Sequence, residues 1–157
     1  YKLIVAPHEI TRKAEVMKTF DGFKTVFYTE SSEENLKNAD ILIVDTIGVL
    51  SKIYKYSDIS YIGGAFKTGL HNILEAAVFG VPLFFGPKYC KFNEAVMLVQ
   101  KKGAFPIHSA KEMLDTLQQF DENPDYYQET CHICQQYVHD NVGACDRICQ
   151  RIFEQTK

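Results

Sequence analysis

The sequence lacks the features that mark several common classes of protein. No apolar run approaches the roughly 18 residues that a membrane-spanning helix needs, and no signal peptide is visible. Basic residues are not in excess, because 17 Lys and Arg against 20 Asp and Glu leave a net charge of −3. The chain therefore has no overall positive field that would attract nucleic acid or anionic lipid. Internal repeats and low-complexity segments are also missing.

Two common phosphate-binding motifs are absent as well. Gly64 and Gly69 have the glycine spacing of a Walker loop. Leu70 and His71 follow them, however, where that motif needs Lys and then Ser or Thr. The dinucleotide fingerprint needs spaced glycines after the first strand, whereas the adjacent Gly63 and Gly64 follow the fourth predicted strand. The sequence therefore argues against a P-loop ATPase and against a classical NAD-binding protein.

The composition that remains suits one globular domain. The chain has 157 residues, of which 46% are hydrophobic and 24% are charged, and this is enough for one sizeable core. It opens on Tyr1 and runs at once into a strand-like segment. We therefore expect a single domain over residues 1–157 that is a piece of a longer protein. The five cysteines are an odd number in a chain of this length, which favours reduced thiols.

Strand-like and helix-like segments alternate along the whole chain. Helical segments of about ten residues separate short apolar runs, of which the third is near-continuous, as in a sheet covered on both faces. This pattern predicts an α/β fold with right-handed crossovers, namely a Rossmann-like, doubly wound parallel sheet of about six strands. The first strand is expected to be buried. The predicted strands are YKLIVAP, KTVFYTE, ADILIVDTIG, ISYIGG, VPLFFGP and AFPIH.

The predicted helices have recognisable ends. Thr11 and Ser109 are candidate N-caps, and Gly80 and Gly103 follow helical segments. The acidic segment ESSEENLKN is predicted to be a polar, solvated connection. The predicted helices are TRKAEVMKTF, VLSKIYKYSD, HNILEAAVFG, NEAVMLVQKKG and SAKEMLDTLQQF, followed by two more that divide near residues 141–143.

The loop after the fourth predicted strand is the main candidate for a binding site. Ligands of this fold class bind beyond the carboxyl ends of the strands. Gly63 and Gly64 allow close approach of the backbone, and the N–H groups of residues 72–75 would form an anion site at a helix N-terminus. Glu75 lies within that turn and can accept two hydrogen bonds from a sugar diol. Phosphate at the helix end and ribose at Glu75 together indicate a nucleotide.

Asn72 and Glu75 also fit a purely structural interpretation. They have the spacing of a capping box, with Asn72 as the N-cap and Glu75 reaching back to its amide. These residues alone leave both interpretations open. Four basic side chains could assist phosphate binding, although surface lysines are usually only solvated. They are Arg12, Lys67, His71 and Lys88.

Several motifs, in a fixed order, resemble those of one enzyme family. APHE follows the first predicted strand, DTIG the third, and GGAF with HNILEAA the fourth, and FNEA comes later. Together they resemble the C-terminal domain of bacterial 3-deoxy-D-manno-octulosonic acid (Kdo) transferases, over residues 5–95. The GG and HNILEAA block is the most specific part. The resemblance implies a glycosyltransferase of lipopolysaccharide synthesis with the two-Rossmann-domain architecture called GT-B.

This resemblance implies a division of labour between two domains. The family's C-terminal domain binds the donor, CMP-Kdo, and uses no metal or other cofactor. The N-terminal domain binds a lipid A precursor as acceptor and carries the general base, so transfer inverts the anomeric centre. The present chain would then contain no catalytic residue and would be inactive alone. The family works at the cytoplasmic face of the inner membrane, whereas this chain is expected to be soluble.

The resemblance also implies which residues contact the nucleotide. Val49 stands where the family often has an acidic residue, so only backbone contact is implied there. Leu70 replaces the second of two glycines that commonly precede the His-Asn pair. His8 could instead satisfy a backbone carbonyl, and Glu9 could favour a helix dipole. The implied nucleotide-binding residues are His8, Glu9, Ile47, Gly48, Val49, Gly63, Gly64, Asn72, Ile73, Leu74 and Glu75.

Four cysteines near the C-terminus invite comparison with a zinc site. Cys131 and Cys134 lie one turn apart on a predicted helix, and Cys145 and Cys149 do so on the next. Zinc sites usually place at least one such pair on a turn, so we expect these thiols to face a core.

Three other functions stay open. The chain could be the donor domain of another GT-B enzyme that uses a UDP-sugar. It could be a non-catalytic nucleotide-binding module. It could also be an interaction domain with a capped helix, which would bind no nucleotide.

Overall fold

A computed structural model describes residues 1–9, 13–67 and 69–154. Short strands and helices alternate through these residues, which confirms the predicted α/β class. The strands are β1 (Leu3–Val5), β2 (Thr25–Phe27), β3 (Ile41–Ile43), β4 (Ser60–Ile62), β5 (Leu83–Phe85) and β6 (Ala104–Pro106). The helices are α1 (Lys13–Thr19), α2 (Glu33–Asn38), α3 (Leu50–Ile53), α4 (Leu74–Ala77), α5 (Asn93–Gln100), α6 (Ala110–Glu122), α7 (Pro124–Asn141) and α8 (Ala144–Glu154).

The six strands pair in parallel, as predicted, and do so in two groups of three. One sheet has the order β1-β3-β2 and the other β4-β5-β6. The chain forms two compact units, Tyr1–Ile53 and Tyr54–Lys157, and each contains one of these sheets. That residues 1–157 form one domain stays a prediction. Within the described ranges, no helix combines the length and apolar character that crossing a membrane requires.

The first unit is built around β3. Ile41 and Ile43 are buried, so the apolar run predicted for the third strand is confirmed. The prediction that the first strand is buried is wrong, because Leu3 is 48% exposed and Ile4 is 37% exposed. The position of β1 at an edge of its sheet accounts for this, since only β3 pairs with it.

The acidic segment predicted as a solvated connection contains α2, so the expectation of a loop is wrong, whereas its solvated character is confirmed because α2 has no buried residue. Ser32 caps this helix: its Oγ accepts a hydrogen bond from Asn35 N–H (3.3 Å), and Asn35 Oδ1 accepts one from Ser32 N–H (2.7 Å). This is a capping box with Asn in place of the usual Glu or Gln. At the other end, Lys2 Nζ donates to Lys37 O (2.8 Å). A capped helix therefore forms in a segment whose charge pattern suggested a solvated loop.

The second unit has its core around β5. Leu83, Phe84 and Phe85 are fully buried, as expected for the central strand of a sheet covered on both faces. One face packs with Ile62, Ile73 and residues of α5 and α7. On the other face, Phe84 packs against an aromatic group contributed by β6, α6 and α7. That group consists of Phe105, Phe120, Tyr126 and Tyr127.

The helix ends of this unit largely follow the prediction. Ser109 caps α6 by accepting a hydrogen bond from Glu112 N–H (3.3 Å), and α7 and α8 divide at residues 142–143. Gly80 adopts φ +71°, and a Cβ there would lie 3.2 Å from Cys131 O on α7. Gly103 also faces α7, because a Cβ on it would lie 2.9 Å from Ile133 Cγ2. These glycines let α7 approach the sheet closely.

Several elements are shorter than predicted. The second strand gives way to a 3₁₀ helix, Tyr28–Glu30, and α3 continues only as a second 3₁₀ helix, Tyr54–Tyr56. The helix predicted over HNILEAAVFG retains four residues in α4. The Thr11 cap predicted for the first helix lies outside the described residues.

Candidate nucleotide-binding site

A glycine loop, here defined as residues 63–67 and 69–71, follows the carboxyl end of β4. Gly64 adopts φ +95°, and a Cβ there would lie 2.0 Å from Gly69 O, so only glycine fits. The loop folds back on itself, since Gly69 N–H donates to Gly64 O (3.2 Å) and His71 N–H donates to Gly63 O (3.2 Å). The predicted glycine turn is therefore present, directly before residues 72–75, which are predicted to bind the nucleotide.

Asn72 and Glu75 lie at the start of α4 and are joined by a hydrogen bond. Asn72 Oδ1 accepts from Leu74 N–H (3.1 Å), and Asn72 Nδ2 donates to Glu75 Oε1 (3.0 Å). The predicted capping box is therefore not formed, because Ile73 is the N-cap of α4 and makes no side-chain capping bond, and Glu75 reaches the side-chain amide of Asn72 instead of its backbone. Within the described part of the chain, no group donates to Glu75 Oε2. One carboxylate oxygen is thus oriented by Asn72, and the other can accept a hydrogen bond from a ligand.

Backbone N–H groups lie beside this carboxylate. Among the described residues, none accepts a hydrogen bond from the N–H of Ile73 or Glu75. Ile73 packs in the core, while Leu74 and Asn72 are exposed. Because α4 is only four residues long, its dipole is small, and these individual N–H groups must supply most of the attraction for an anion.

Tyr54 is a residue near Glu75 that the sequence did not single out. Its phenol is half-buried, and its ring packs against the core cluster that contains Ile73 and Ala76. Burial raises the pKa of Tyr54 above its ordinary value, and the negative charge of Glu75 raises it further. The phenol therefore stays protonated at neutral pH and can act as a hydrogen-bond donor. Its spacing from Glu75 follows no motif, so no sequence signal identified it.

The other predicted contact residues belong to the first unit. His8 and Glu9 follow β1, and residues 47–49 follow β3, its parallel neighbour. Val44 N–H donates to Val5 O (2.8 Å), so both loops leave the same edge of this sheet. Ile47 is 85% exposed and Gly48 adopts φ +87°. The structure thus groups these residues at one sheet edge in the first unit, and it groups residues 63, 64 and 72–75 in the second.

Asp45, within the DTIG motif, has a structural role that the sequence did not reveal. Its Oδ1 accepts a hydrogen bond from Thr29 N–H (3.0 Å), and its Oδ2 accepts one from Thr29 Oγ1 (2.6 Å). These bonds link the segments that follow β2 and β3. Of the candidate phosphate-binding cations, Arg12 lies outside the described residues.

The four C-terminal cysteines differ in their surroundings. Cys134 is buried, and its thiol donates to Gly103 O (3.0 Å). Cys145 and Cys149 are exposed on α8, so the expectation that they face a core is wrong. The cause is that the apolar side of α8, which also carries Ile148 and Ile152, is itself exposed. In residues 1–9, 13–67 and 69–154, no three His, Cys, Asp or Glu side chains converge as a metal-ligand set would.

Comparison with known proteins identifies relatives of this chain. No family model matches it. The 3-deoxy-D-manno-octulosonic acid transferase of Aquifex aeolicus is 36% identical over 120 residues, which is 74% of this chain and 32% of the relative. The same transferase of Rickettsia prowazekii is 40% identical over 92 residues, or 57% of this chain and 20% of the relative. The chain thus spans a third or less of the length of these relatives.

A solved structure shares the fold. The C-terminal CMP-Kdo binding domain of WaaA from Acinetobacter baumannii superposes with a TM-score of 0.74 and 23% identity, over 86% of this chain and 72% of that one. At this identity the likeness establishes the fold alone, and it confirms the predicted Rossmann-like class. The sequence relatives confirm the resemblance that the motifs indicate: the chain is related to the Kdo transferases.

Proposed function

We propose that the chain is the donor-binding domain of a glycosyltransferase that transfers Kdo from CMP-Kdo to a lipid A precursor in lipopolysaccharide synthesis. The observation that carries this proposal is the combination of 36% identity to a Kdo transferase with the fold of a CMP-Kdo binding domain. The enzyme would have the GT-B architecture, invert the anomeric centre and use no metal. Its general base and acceptor site would lie outside this chain, which would be inactive alone.

The geometry around Glu75 supports a nucleotide site. One carboxylate oxygen is held by Asn72 Nδ2 at 3.0 Å, which fixes the direction of the other. A ribose diol needs such an oriented acceptor, and the N–H groups of Ile73 and Glu75 can donate to an anion beside it. Donors that are already in place stabilise the charge that develops on departing CMP without reorganisation. The resemblance also implies nucleotide contacts for His8, Glu9 and residues 47–49, which lie in the first unit.

The proposal extends to the surroundings of the whole enzyme. We propose that it acts at the cytoplasmic face of the bacterial inner membrane, where its lipid acceptor would be presented. Contact with the membrane and the acceptor would be made by parts of the enzyme outside this chain. Nucleic acid is not an expected partner, since the chain carries a net charge of −3.

One structural observation favours a different role for the same residues. The hydrogen bond from Leu74 N–H to Asn72 Oδ1 (3.1 Å) is a local Asx turn just before α4, which an interaction domain without any nucleotide would also use. A UDP-sugar donor domain or a non-catalytic nucleotide-binding module would share the same loop. Nucleotide preference separates these alternatives.

The test is calorimetric titration of the 157-residue chain with CMP, UDP, ATP and NAD at high nucleotide concentration. We expect CMP to bind best and Glu75→Ala to weaken it about tenfold or more, because hydrogen bonds to a charged group contribute about 1.5–3 kcal/mol. Glu129→Ala removes an exposed carboxylate of the same unit and is the matched control. The proposal fails if no nucleotide binds and Glu75→Ala only lowers the melting temperature. Preferential binding of UDP would point to the UDP-sugar alternative.

A further inference from the structure

The glycine loop packs against the loop that follows β5, which is defined here as residues 86–92. A Cβ on Gly86 would lie 2.6 Å from Phe66 Cδ2 and 2.8 Å from Ala65 C, so this contact needs glycine at position 86. Further along, a Cβ on Gly69 would lie 3.5 Å from the ring of Phe92. Since β4 and β5 are parallel neighbours, both loops leave the same edge of the sheet, and the glycine loop leads directly into Asn72 and Glu75.

Lys88 is the residue of the β5 loop that lies over the glycine loop. Its N–H donates to Ala65 O (3.0 Å), which fixes its backbone. Its Nζ lies 3.5 Å from Lys67 O, at the long limit for a hydrogen bond. The ammonium group is therefore brought to the glycine loop by the fold, and it is held there only weakly.

The charge of Lys88 is not neutralised by any of the residues that the structure describes. Among the residues that the structure describes, no Asp or Glu forms an ion pair with this ammonium group. An ammonium carries three N–H donors, and one carbonyl at 3.5 Å occupies at most one of them. The group therefore has two or more donors available for an anion next to the glycine loop. Lys91, in the same loop, is also exposed but makes no such contact with the glycine loop.

We propose that Lys88 binds the phosphate group of the donor nucleotide. The inference rests on the proposed function and adds a charged contact to the backbone donors near Glu75. A nearby ammonium would favour a phosphorylated nucleotide over a bare nucleoside, because a charge-assisted hydrogen bond is stronger than a neutral one. It would also stabilise the charge that develops on the phosphate as the sugar departs.

The test compares CMP with cytidine, which lacks the phosphate, by titration of the native chain and three variants. Lys88→Met removes the charge and keeps a stem of similar length, Lys88→Arg keeps the charge, and Lys91→Met is the control for net charge. We expect Lys88→Met to weaken CMP about tenfold and leave cytidine unchanged, as loss of a charged hydrogen bond predicts. Lys88→Arg should keep most of the preference for CMP over cytidine. Lys91→Met should change the ratio of CMP to cytidine affinity less than about twofold.

The possible results separate this inference from the proposed function. If the native chain does not bind CMP, both fail together. If the native chain binds CMP and Lys88→Met keeps the native ratio of CMP to cytidine affinity, only the role of Lys88 is overturned. An equal loss of CMP and cytidine binding in Lys88→Met would also overturn it, since that result indicates a general change of the loop. Melting temperatures of all variants reveal whether the loop contact with Ala65 is retained.

Discussion

Asn72 uses the two ends of its side-chain amide for different purposes. Its oxygen accepts from Leu74 N–H (3.1 Å) in a turn just before α4, while its nitrogen donates to Glu75 Oε1 (3.0 Å) and orients that carboxylate. The sequence offered capping and ligand binding as alternatives at this position. The structure shows that the bond from Asn72 uses Glu75 Oε1, so a local structural role of Asn72 is compatible with ligand binding at Glu75 Oε2.

Two substitutions at Asn72 separate these roles. Asn72→Asp keeps an oxygen for Leu74 N–H but loses the donor to Glu75, and it places a second carboxylate beside the first. We expect it to keep most of the stability and to weaken CMP binding severalfold. Asn72→Ala loses both bonds and should also destabilise the chain by about 1 kcal/mol, or roughly 2–4 °C in melting temperature.

Thermal unfolding and CMP titration of both variants provide the measurement. Native CMP affinity in Asn72→Asp would mean that the orientation of Glu75 does not matter for binding. In that case Asn72 serves α4 alone.

Single residues differ in how well their roles could be predicted. Gly64 and Gly80 were predictable, because a glycine at a strand or helix end is commonly needed for positive φ, and both have it. The position of Tyr54 could not be predicted, since it lies near Glu75 through packing between elements that are separate in sequence. Asp45 was quoted only as part of a motif, and its bonds to Thr29 depend on which strands are neighbours.

Among the elements, apolar runs were a better guide than charge. The run that forms β3 is buried as predicted, because β3 is a central strand, and the run that forms β5 is buried for the same reason. The acidic segment that forms α2 has the charge pattern of a solvated connection, although Ser32 and Asn35 satisfy the amides at its start. Local capping bonds stabilise a helix that has no buried residue, and composition alone does not reveal them. The length of α4 was overestimated, because turn residues adjoin it on both sides.

The contact of α7 with the sheet predicts a pH dependence. Burial, with a smaller contribution from the charge of Cys131, raises the pKa of the Cys134 thiol from 9.0 to about 12. The folded chain thus holds this proton more tightly than the unfolded chain does. The resulting stability is complete below pH 9 and is lost as the pH rises from about 9 towards 12.

The measurement is the free energy of unfolding in urea at a series of pH values above 8, for the native chain and for Cys134→Ala. As the pH rises, the free energy of unfolding of the native chain should fall more steeply than that of Cys134→Ala, by up to about 1.4 kcal/mol per pH unit. Other groups with raised pKa values, such as Tyr127, affect both proteins and cancel in the difference. Cys90→Ala removes an exposed thiol and serves as the control. Equal slopes for the native chain and Cys134→Ala would contradict the prediction.

At the scale of the whole molecule, the alternation of strands and helices predicted the class but not the pairing. Six parallel strands were expected in one sheet, and they form two groups of three, each in its own compact unit. The order of strands depends on contacts between distant segments, and the burial of β1 was misjudged for the same reason. An apolar run such as KLIVA indicates a strand without telling whether it has one neighbour or two.

This difference between the units predicts unequal stability along the chain. Leu83, Phe84 and Phe85 of β5 are fully buried, whereas Leu3 and Ile4 of β1 are exposed at a sheet edge. Amides with few buried contacts around them open locally at little cost in free energy. We therefore expect the β5 amides to exchange with solvent deuterium at least about tenfold more slowly than those of β1.

Native-state hydrogen exchange resolved by residue provides the measurement, and β3 gives its internal control. Ile41 and Ile43 are buried in the same unit as β1, so their amides should exchange slowly if β1 opens alone. If the first unit opens as a whole, β3 will exchange as fast as β1, and both will be faster than β5. Exchange at β1 as slow as at β5 would contradict the prediction. That result would mean that the exposed side of β1 is covered in solution.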